Sequence, residues 1–133
     1  MDDYSRGGHT KYSMKAHVIF VTKYRKRILQ GAIADDAKQS LHEAALRVNC
    51  RIIQMETDID HVHILLEYSP KVSVSDIAHS LKQYSTHFVW MRHKDFLRQH
   101  YWKRRVLWSD GYFACSVGKV SQKTIELYIQ HQG

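Results

Sequence analysis

The chain has 133 residues, of which 44% are hydrophobic and 25% charged, with six glycines and one proline. This composition argues against disorder outside the chain ends and suits one globular domain with its own core. Lysine and arginine total 20 against 13 acidic residues, a formal net charge of +7, which favours a polyanionic partner without separating DNA from RNA. No apolar run approaches the roughly 20 residues of a membrane span, and the two widely spaced cysteines predict neither a disulfide framework nor a zinc knuckle.

The first half of the chain predicts strands around one helix. Residues 1–13 are polar and are interpreted as a loose arm without the apolar stretch of a signal peptide, ahead of a single domain over 14–133. Residues 14–27 contain an apolar β-branched run and predict a strand that ends in a basic cluster. Residues 35–49 carry apolar side chains at helical spacing, and two leading aspartates suit a helix N-terminus.

The second half begins with a predicted hairpin. Residues 50–58 predict a strand that turns tightly into the next strand, and a helix follows Pro70 over 73–93 with Ser73 as its cap. That helix has an apolar stripe whose members are three or four residues apart. They are Val74, Ile77, Leu81, Tyr84, Phe88 and Met91. A short strand over 112–118 and a last helix over 120–132, capped by Ser121, complete the chain.

This order of elements predicts the fold. Strand, helix, two strands, helix and strand is the split βαβ, or ferredoxin-like, arrangement of an α+β protein. Its four-stranded antiparallel sheet packs helices on one face and leaves the other face open. The last helix is additional to this pattern.

Two histidines stand one residue apart in the stretch "DIDHVHILLEY", residues 58–68. Side chains alternate along a strand, so His61 and His63 share one face, and Val62 and Ile64 share the other. Two imidazoles on one rigid face can bind a divalent metal. The alternative is a pair of half-exposed histidines in a chain that has ten.

The last predicted helix carries "YIQHQ", in which Tyr128 and Gln132 are four residues apart and share a helix face. Ordinary surface polarity is one explanation of this pair. The other is covalent attack on a phosphodiester, because a tyrosine oxygen can act as the nucleophile and a metal can polarise the phosphate. The amide oxygen of Gln132 can complete the coordination of Mg²⁺ or Mn²⁺.

In its histidine and tyrosine motifs the chain resembles the small single-tyrosine HUH transposases, the TnpA type of minimal bacterial and archaeal insertion sequences, to which REP-associated tyrosine transposases are related. "HVH" at 61–63 matches histidine–hydrophobic–histidine, and "YIQHQ" matches tyrosine followed by glutamine. "VIFVTKYRKRIL" at 18–29 and "LWSDGYFACSVG" at 107–118 are similar to the opening strand and to the segment before the catalytic helix. In the related conjugative relaxases the tyrosine precedes the histidines, whereas here it follows them.

The resemblance implies a metal-dependent DNA transposase. His61, His63 and Gln132 would bind the metal, and Tyr128 would attack single-stranded DNA at hairpin-bearing element ends, giving a 5′-phosphotyrosine adduct and a free 3′-hydroxyl. A homodimer is implied, whose tyrosine helix can complete the partner's site. Asp58 and Glu56 are possible helpers, or simply solvated carboxylates. A prokaryotic cytoplasmic, nucleoid-associated location is expected.

Two basic segments are expected to contact DNA, because cations track phosphates and aromatic rings stack unpaired bases. In "RQHYWKRRVLW", 98–108, an equal alternative is that the aromatics are core and the cations are solvated. The predicted contacts are Lys23, Arg25, Lys26, Arg27, Arg98, Lys103, Arg104 and Arg105.

Other functions remain open on the same fold. One is a non-catalytic single-stranded nucleic-acid binder, although the histidine strand lacks the aromatic signature of RNA-binding sheets. A domesticated relative that cuts repeat hairpins would have the same fold and chemistry. A metal hydrolase that uses water would not need Tyr128.

Overall fold

The computed structural model describes residues 5–7, 10–12, 14–117 and 122–132. The elements in chain order are β1 (Ser5–Gly7), β2 (Thr10–Tyr12), β3 (Met14–Val21), α1 (Gly31–Arg47), β4 (Cys50–Asp58), β5 (His61–Tyr68), α2 (Val74–His100), β6 (Phe113–Ser116) and α3 (Gln122–Gln130). One sheet has the strand order β4-β5-β3-β6, with every neighbouring pair antiparallel, and a separate pair joins β1 to β2. The predicted α+β fold is therefore confirmed, with α3 as the additional helix.

The main core lies between one sheet face and the helices α1 and α2. Val18 and Phe20 of β3 and Val62, Ile64 and Leu66 of β5 are all fully buried there. Alternation along each strand produces this layer, because every second side chain points toward the helices.

A smaller apolar cluster covers part of the opposite face. Ile19 and Val21 of β3 are buried against Ile125 of α3, and Phe113, Tyr128 and Ile129 pack around them. The last helix therefore packs on the face that the two long helices leave uncovered.

The helix α1 begins at Gly31, four residues before the predicted start at Asp35. Gly31 has a φ of +60°, a left-handed conformation that glycine adopts without a steric penalty. Asp35 and Asp36 consequently lie in the second turn, so the prediction that they serve the helix N-terminus was wrong. Asp36 instead contacts α2.

The helix α2 continues to His100 rather than ending near residue 93. His93 has non-helical angles, φ −132° and ψ 35°, so the helix bends there and then resumes. Ser73 accepts a hydrogen bond from the Asp76 N–H at 3.0 Å, which confirms the predicted cap. Met91 is 67% exposed, contrary to the predicted stripe, because the buried line runs through Ser85 and Val89.

Several element boundaries, and one strand pair, differ from the sequence-based expectation. β3 stops at Val21, and a short 3-10 turn, Lys23–Arg25, follows it. Within the predicted arm, Ser5–Gly7 pairs with Thr10–Tyr12 instead of staying irregular. Ser121 lies outside the described residues, so its predicted capping role is untested. Among the described residues, no helix is both long and apolar enough to cross a membrane.

Candidate functional site

The strand β5 presents its two histidines on the face opposite the main core. His61 and His63 are partly exposed, whereas Val62 and Ile64 between and after them are fully buried. The β3 residues directly opposite the histidines are Val21 and Ile19, respectively. The alternation predicted from the sequence is therefore present, and the histidines border the smaller apolar cluster.

A buried carboxylate orients His61. The Nδ1 atom of His61 lies 2.9 Å from Asp60 Oδ1, and Arg25 Nε donates to Asp60 Oδ2 at 3.2 Å. Asp60 is only 9% exposed. A carboxylate on one ring nitrogen fixes the tautomer and directs the other nitrogen outward, which is how metal-ligating histidines are commonly supported.

Asp60 was missed by the sequence analysis, which selected Asp58 from the same turn. Asp58 Oδ1 accepts a hydrogen bond from the Ile59 N–H at 2.7 Å, so it stabilises the turn locally. The sequence could have pointed to Asp60, because this residue directly precedes His61. Adjacent residues on a regular strand point to opposite faces, and Asp60 meets His61 because it lies in the turn instead.

His63 lies in a small polar cavity with a second missed residue, His17 of β3. The two imidazoles are joined by a 2.9 Å contact between His17 Nδ1 and His63 Nε2. Glu56 of β4 is the cross-strand partner of His63 and lines the same cavity, which has a volume of about 190 Å³. The sequence signal for His17 was its position two residues before Ile19, which places it on the same face.

Burial lowers the pKa of His63, and the neighbouring His17 and His61 lower it further, while Glu56 acts in the opposite direction. His63 therefore holds its neutral form to lower pH than an exposed histidine does. The neutral imidazole is the form that binds a metal ion.

The tyrosine of α3 reaches the same sheet face. Tyr128 packs against the cluster that contains Ile19 and Val21, and its ring centroid lies 5.5 Å from that of Phe113. Burial raises the pKa of Tyr128, so the hydroxyl keeps its proton at neutral pH unless another group removes it.

Gln132 lies beyond the end of α3, contrary to the predicted helix over 120–132. Its N–H donates to the Ile129 carbonyl at 3.1 Å after the helix ends at Gln130. Within the described residues, no hydrogen bond joins Tyr128 or Gln132 to either histidine, and no set of three His, Cys, Asp or Glu side chains is arranged to hold a metal. The chain brings Tyr128, His61 and His63 to one sheet face, but the contacts among the described residues do not close them around a common point.

The predicted DNA-contacting cations divide into two groups. Arg25 is turned toward Asp60, and Lys23 lies 3.5 Å from Asp110. The others are exposed or partly exposed around the 3-10 turn, in the last turn of α2 and in the segment after it: Lys26, Arg27, Arg98, Lys103, Arg104 and Arg105.

The aromatic residues near these cations fall into a buried and an exposed group. Tyr101 and Trp108 are buried, whereas Trp102 is 72% exposed. Tyr101 and Trp108 therefore fit the alternative in which the aromatics of the 98–108 segment are core, whereas contact of Trp102 with DNA stays a prediction.

Comparison with known proteins identifies a family. The model described as "Transposase IS200 like" matches residues 10–132. The transposase of insertion sequence element IS200 from Salmonella typhimurium LT2 is 33% identical over 132 residues, which cover 99% of this chain and 85% of the relative. The ISDra2 transposase TnpA of Deinococcus radiodurans is 31% identical over 121 residues, with 91% and 85% covered.

Solved structures show the same fold. A crystal structure of a Deinococcus radiodurans R1 protein, assigned as a transposase, superposes with a TM-score of 0.85 at 28% identity, covering 96% of this chain and 97% of the other. A REP-associated tyrosine transposase bound to a REP hairpin gives a TM-score of 0.57 at 11% identity, covering 97% and 68%. The second likeness concerns the fold alone.

Proposed function

The chain belongs to the IS200-like transposase family, and from that premise we propose that it cuts and rejoins single-stranded DNA through a covalent bond to Tyr128. The observation that carries this proposal is the shared sheet face. Tyr128 packs on Ile19 and Val21, whose cross-strand partners are His63 and His61. This shared face supports the proposal that Tyr128 acts on the same phosphate as a metal held by His61 and His63.

The proposed reaction conserves the phosphodiester. The Tyr128 oxygen forms a bond to phosphorus as the bond from phosphorus to the 3′-oxygen breaks. The phenol proton is lost, and the departing 3′-oxygen takes up a proton to become a hydroxyl. Rejoining is the reverse, in which a 3′-hydroxyl attacks the tyrosyl phosphate and releases the phenol. No nucleotide cofactor is required, because the bond energy is kept in the ester.

The residues present suit a divalent metal, Mg²⁺ or Mn²⁺. His61 is supported by Asp60, and His63 favours its neutral form. We propose that both bind the metal and that Gln132 adds an oxygen ligand. When bound, the metal would polarise the scissile phosphate and offset its developing charge. Glu56 faces His63 across the hairpin and is proposed to assist the metal site. The bond from the Ile59 N–H to Asp58 instead favours a role for Asp58 in stabilising the turn.

The substrate is proposed to be a hairpin beside an unpaired cleavage strand. The net charge of +7 supports a polyanion, and one solved neighbour of the same fold is bound to a REP hairpin. A cytoplasmic, nucleoid-associated location is part of the proposal. A blunt duplex of the same sequence should be cut far less, because the tyrosine has to reach one phosphate of an unpaired strand.

The central prediction is that Tyr128→Phe abolishes the covalent adduct with little change in stability. Phenylalanine keeps the ring that packs on Phe113 and removes only the oxygen. Single-stranded DNA from the flanks of the gene, incubated with divalent metal, should give a protein–DNA band on a denaturing gel. Peptide mapping should place the nucleotide on "TIELYIQHQG".

Tyr84→Phe is the matched control, because that tyrosine bonds Glu43 on the helix side of the sheet, and it should leave the adduct intact. Cleavage that persists in Tyr128→Phe would refute the proposed nucleophile and favour a water-using hydrolase. The absence of any cleavage by the parent protein would favour a non-catalytic binder.

We also propose a homodimer, whose α3 either serves the sheet of its own chain, on which it packs, or completes the partner's site. If α3 completes the partner's site, mixing Tyr128→Phe with His61→Ala should restore cleavage, because one mixed site combines an intact histidine pair with an intact tyrosine. Each variant alone should be inactive. An inactive mixture, in which subunit exchange is verified by differently tagged chains, would instead place Tyr128 beside the histidines of its own chain.

A further inference from the structure

A second cavity lies between the 3-10 turn after β3 and the segment that follows α2. It has a volume of about 220 Å³, and its lining includes Lys23, Tyr24, Tyr101, Trp102, Lys103 and Arg104. This volume is below the roughly 300–1,000 Å³ of pockets that hold drug-sized ligands. The cavity therefore suits one small planar group.

Two aromatic rings of this cavity are exposed. Tyr24 is 63% and Trp102 is 72% exposed, whereas Tyr101 is only 4% exposed. The Tyr101 hydroxyl donates to the Lys23 carbonyl at 2.9 Å, and the Tyr101 and Tyr24 ring centroids are 6.3 Å apart. A fixed ring thus forms the base of the cavity, and two solvent-facing rings stand at its edge.

The backbone that carries Tyr24 is strained. Tyr24 has φ 60° and ψ 18°, and Arg25 has φ 53°, so two successive residues with side chains adopt the left-handed region. Such conformations persist only where surrounding contacts hold them, and they concentrate at functional sites. Here Thr22 Oγ1 donates to the Lys26 carbonyl at 2.6 Å, and Arg25 is held by Asp60.

The charges around the cavity suit a phosphate. Lys103 and Arg104 are exposed at its edge. Lys23 is less available, because its ammonium lies 3.5 Å from Asp110 and 5.4 Å from the Tyr24 ring centroid. Cations beside exposed aromatic rings match a nucleotide, which has a flat base and a charged backbone.

We infer that this Tyr24–Trp102 pocket binds one unpaired base of single-stranded DNA, with the adjoining phosphate against Lys103 and Arg104. The choice of DNA rests on the proposed function, and the inference adds the place where the strand is held. The same turn carries Arg25, which bonds the carboxylate that orients His61. A base bound here is therefore held in fixed relation to the histidine face.

Tryptophan fluorescence tests the pocket without any cleavage. Trp90 and Trp108 are buried, which leaves Trp102 as the exposed reporter among the three tryptophans. Short oligothymidylate, added in a metal chelator, should quench the parent protein. An oligomer of the same length without bases should not. Trp102→Phe should still bind, as measured by fluorescence polarisation, but lose most of the quenching.

Loss of the rings should weaken binding. Tyr24→Ala and Trp102→Ala should each reduce affinity by roughly 5- to 150-fold, the range for one stacked base. Leu46→Ala is the control, because Leu46 is an equally exposed apolar residue on α1, and it should bind like the parent. Binding is measured in chelator, where no cleavage takes place. The result therefore does not depend on whether Tyr128 is the nucleophile.

Three outcomes would overturn the inference. One is unchanged affinity in both alanine variants. Another is stronger quenching by oligouridylate than by oligothymidylate, which would point to RNA. The third is dissociation of a dimer by Trp102→Ala in sedimentation, which would assign these rings to contact with a second copy of the chain.

Discussion

Asp60 connects the basic turn to the histidine strand through a single side chain. One carboxylate oxygen accepts from Arg25 and the other faces His61. Its own backbone carbonyl accepts from the Thr22 N–H at 2.9 Å. Asp60 therefore links the turn that carries Tyr24 to the ring of His61, so the proposed DNA-binding turn and the proposed metal ligand are connected through one residue.

We expect Asp60→Asn to weaken metal binding while leaving the fold intact. Asparagine keeps the size but removes the charge that makes the His61 ring a better ligand, and loss of such a supporting group typically costs about 10- to 100-fold in metal affinity or activity. The Mn²⁺ concentration for half-maximal cleavage should rise accordingly, and excess Mn²⁺ should restore the rate.

Asp58→Asn is the comparison, because Asp58 Oδ1 bonds the Ile59 N–H, whereas the His61 ring contacts Asp60. It should require no more Mn²⁺ than the parent. An equal metal requirement in both variants would show that Asp60 does not support the ligand.

The sequence identifies the histidine pair because strand alternation alone places them together. It does not identify Asp60 or His17 as their partners. His17 meets His63 through the β3–β5 register, and register depends on the packing of the whole sheet. Gln132 was predicted on a helix that ends two residues earlier, at Gln130, because helical spacing does not show where the last turn frays.

The helices α1 and α2 are joined where α2 bends. Asp36 Oδ2 accepts from His93 Nε2 at 2.6 Å and from Arg92 Nε at 3.0 Å. His93 is the residue with non-helical angles, so the ion pair lies at the bend. These contacts fix the direction of the last turns of α2 and hence the position of Trp102 beyond them.

This contact predicts a pH-dependent stability. The hydrogen bond from His93 and the charge of Arg92 lower the pKa of Asp36 below 3.8. A carboxyl with a lowered pKa in the folded state stabilises it fully above the unfolded-state value and loses that contribution as the pH falls through the folded-state value. Asp36→Asn should therefore cost about 1 kcal/mol at neutral pH and progressively less below pH 3.8.

Urea unfolding at neutral pH and at about pH 3 measures the difference. Asp35→Asn, on the exposed side of the same turn, should change stability little at either pH. A penalty for Asp36→Asn that is the same at both values would mean that the charge of Asp36 is not what stabilises the contact.

The periodicity of the sequence predicts the four strands of the sheet and the three α-helices that the structure describes, but it misplaces the start of α1 and the ends of α2 and α3. At the start of α1, the apolar pair Ile33 and Ala34 is buried, and this burial outweighs the aspartates as a start signal. At the end of α2, Leu97 is fully buried and extends the helix past the bend. In both cases tertiary packing decides the boundary, and packing is not visible in a local window.

Across the molecule, basic side chains outnumber acidic ones, and those predicted to meet DNA concentrate at one end of the sheet. The 3-10 turn and the 101–106 segment are brought together there, since the Lys23 N–H donates to the Leu107 carbonyl at 2.8 Å. Farther along the chain, Lys82 of α2 donates to the carbonyls of Ser109 and Gly111 at 2.7 Å each. The start of the segment is fixed by the bond from the Tyr101 hydroxyl to the Lys23 carbonyl, and the chain after its end is fixed by Leu107 and Lys82.

Affinity for single-stranded DNA should fall steeply with salt. Each phosphate neutralised by a lysine or arginine releases counterions and contributes about −0.7 to the slope of log affinity against log salt. Lys103→Ala and Arg104→Ala should each reduce the magnitude of the slope by about that amount, measured by fluorescence polarisation in chelator. Lys38→Ala on α1 should leave it unchanged, whereas a flat response in the parent would mean that the charge serves another purpose.

The strand β5 faces the helix layer with one set of side chains and the histidine cavity with the other. Substitutions on the two sets are subject to separate constraints, one from packing and one from chemistry. A codon gained or lost within the strand is different, because a shift of one residue moves every side chain to the opposite face. The imidazoles would then enter the core, and Val62 and Ile64 would face solvent. This strand therefore tolerates substitutions in evolution, but it does not tolerate an insertion or deletion of one residue.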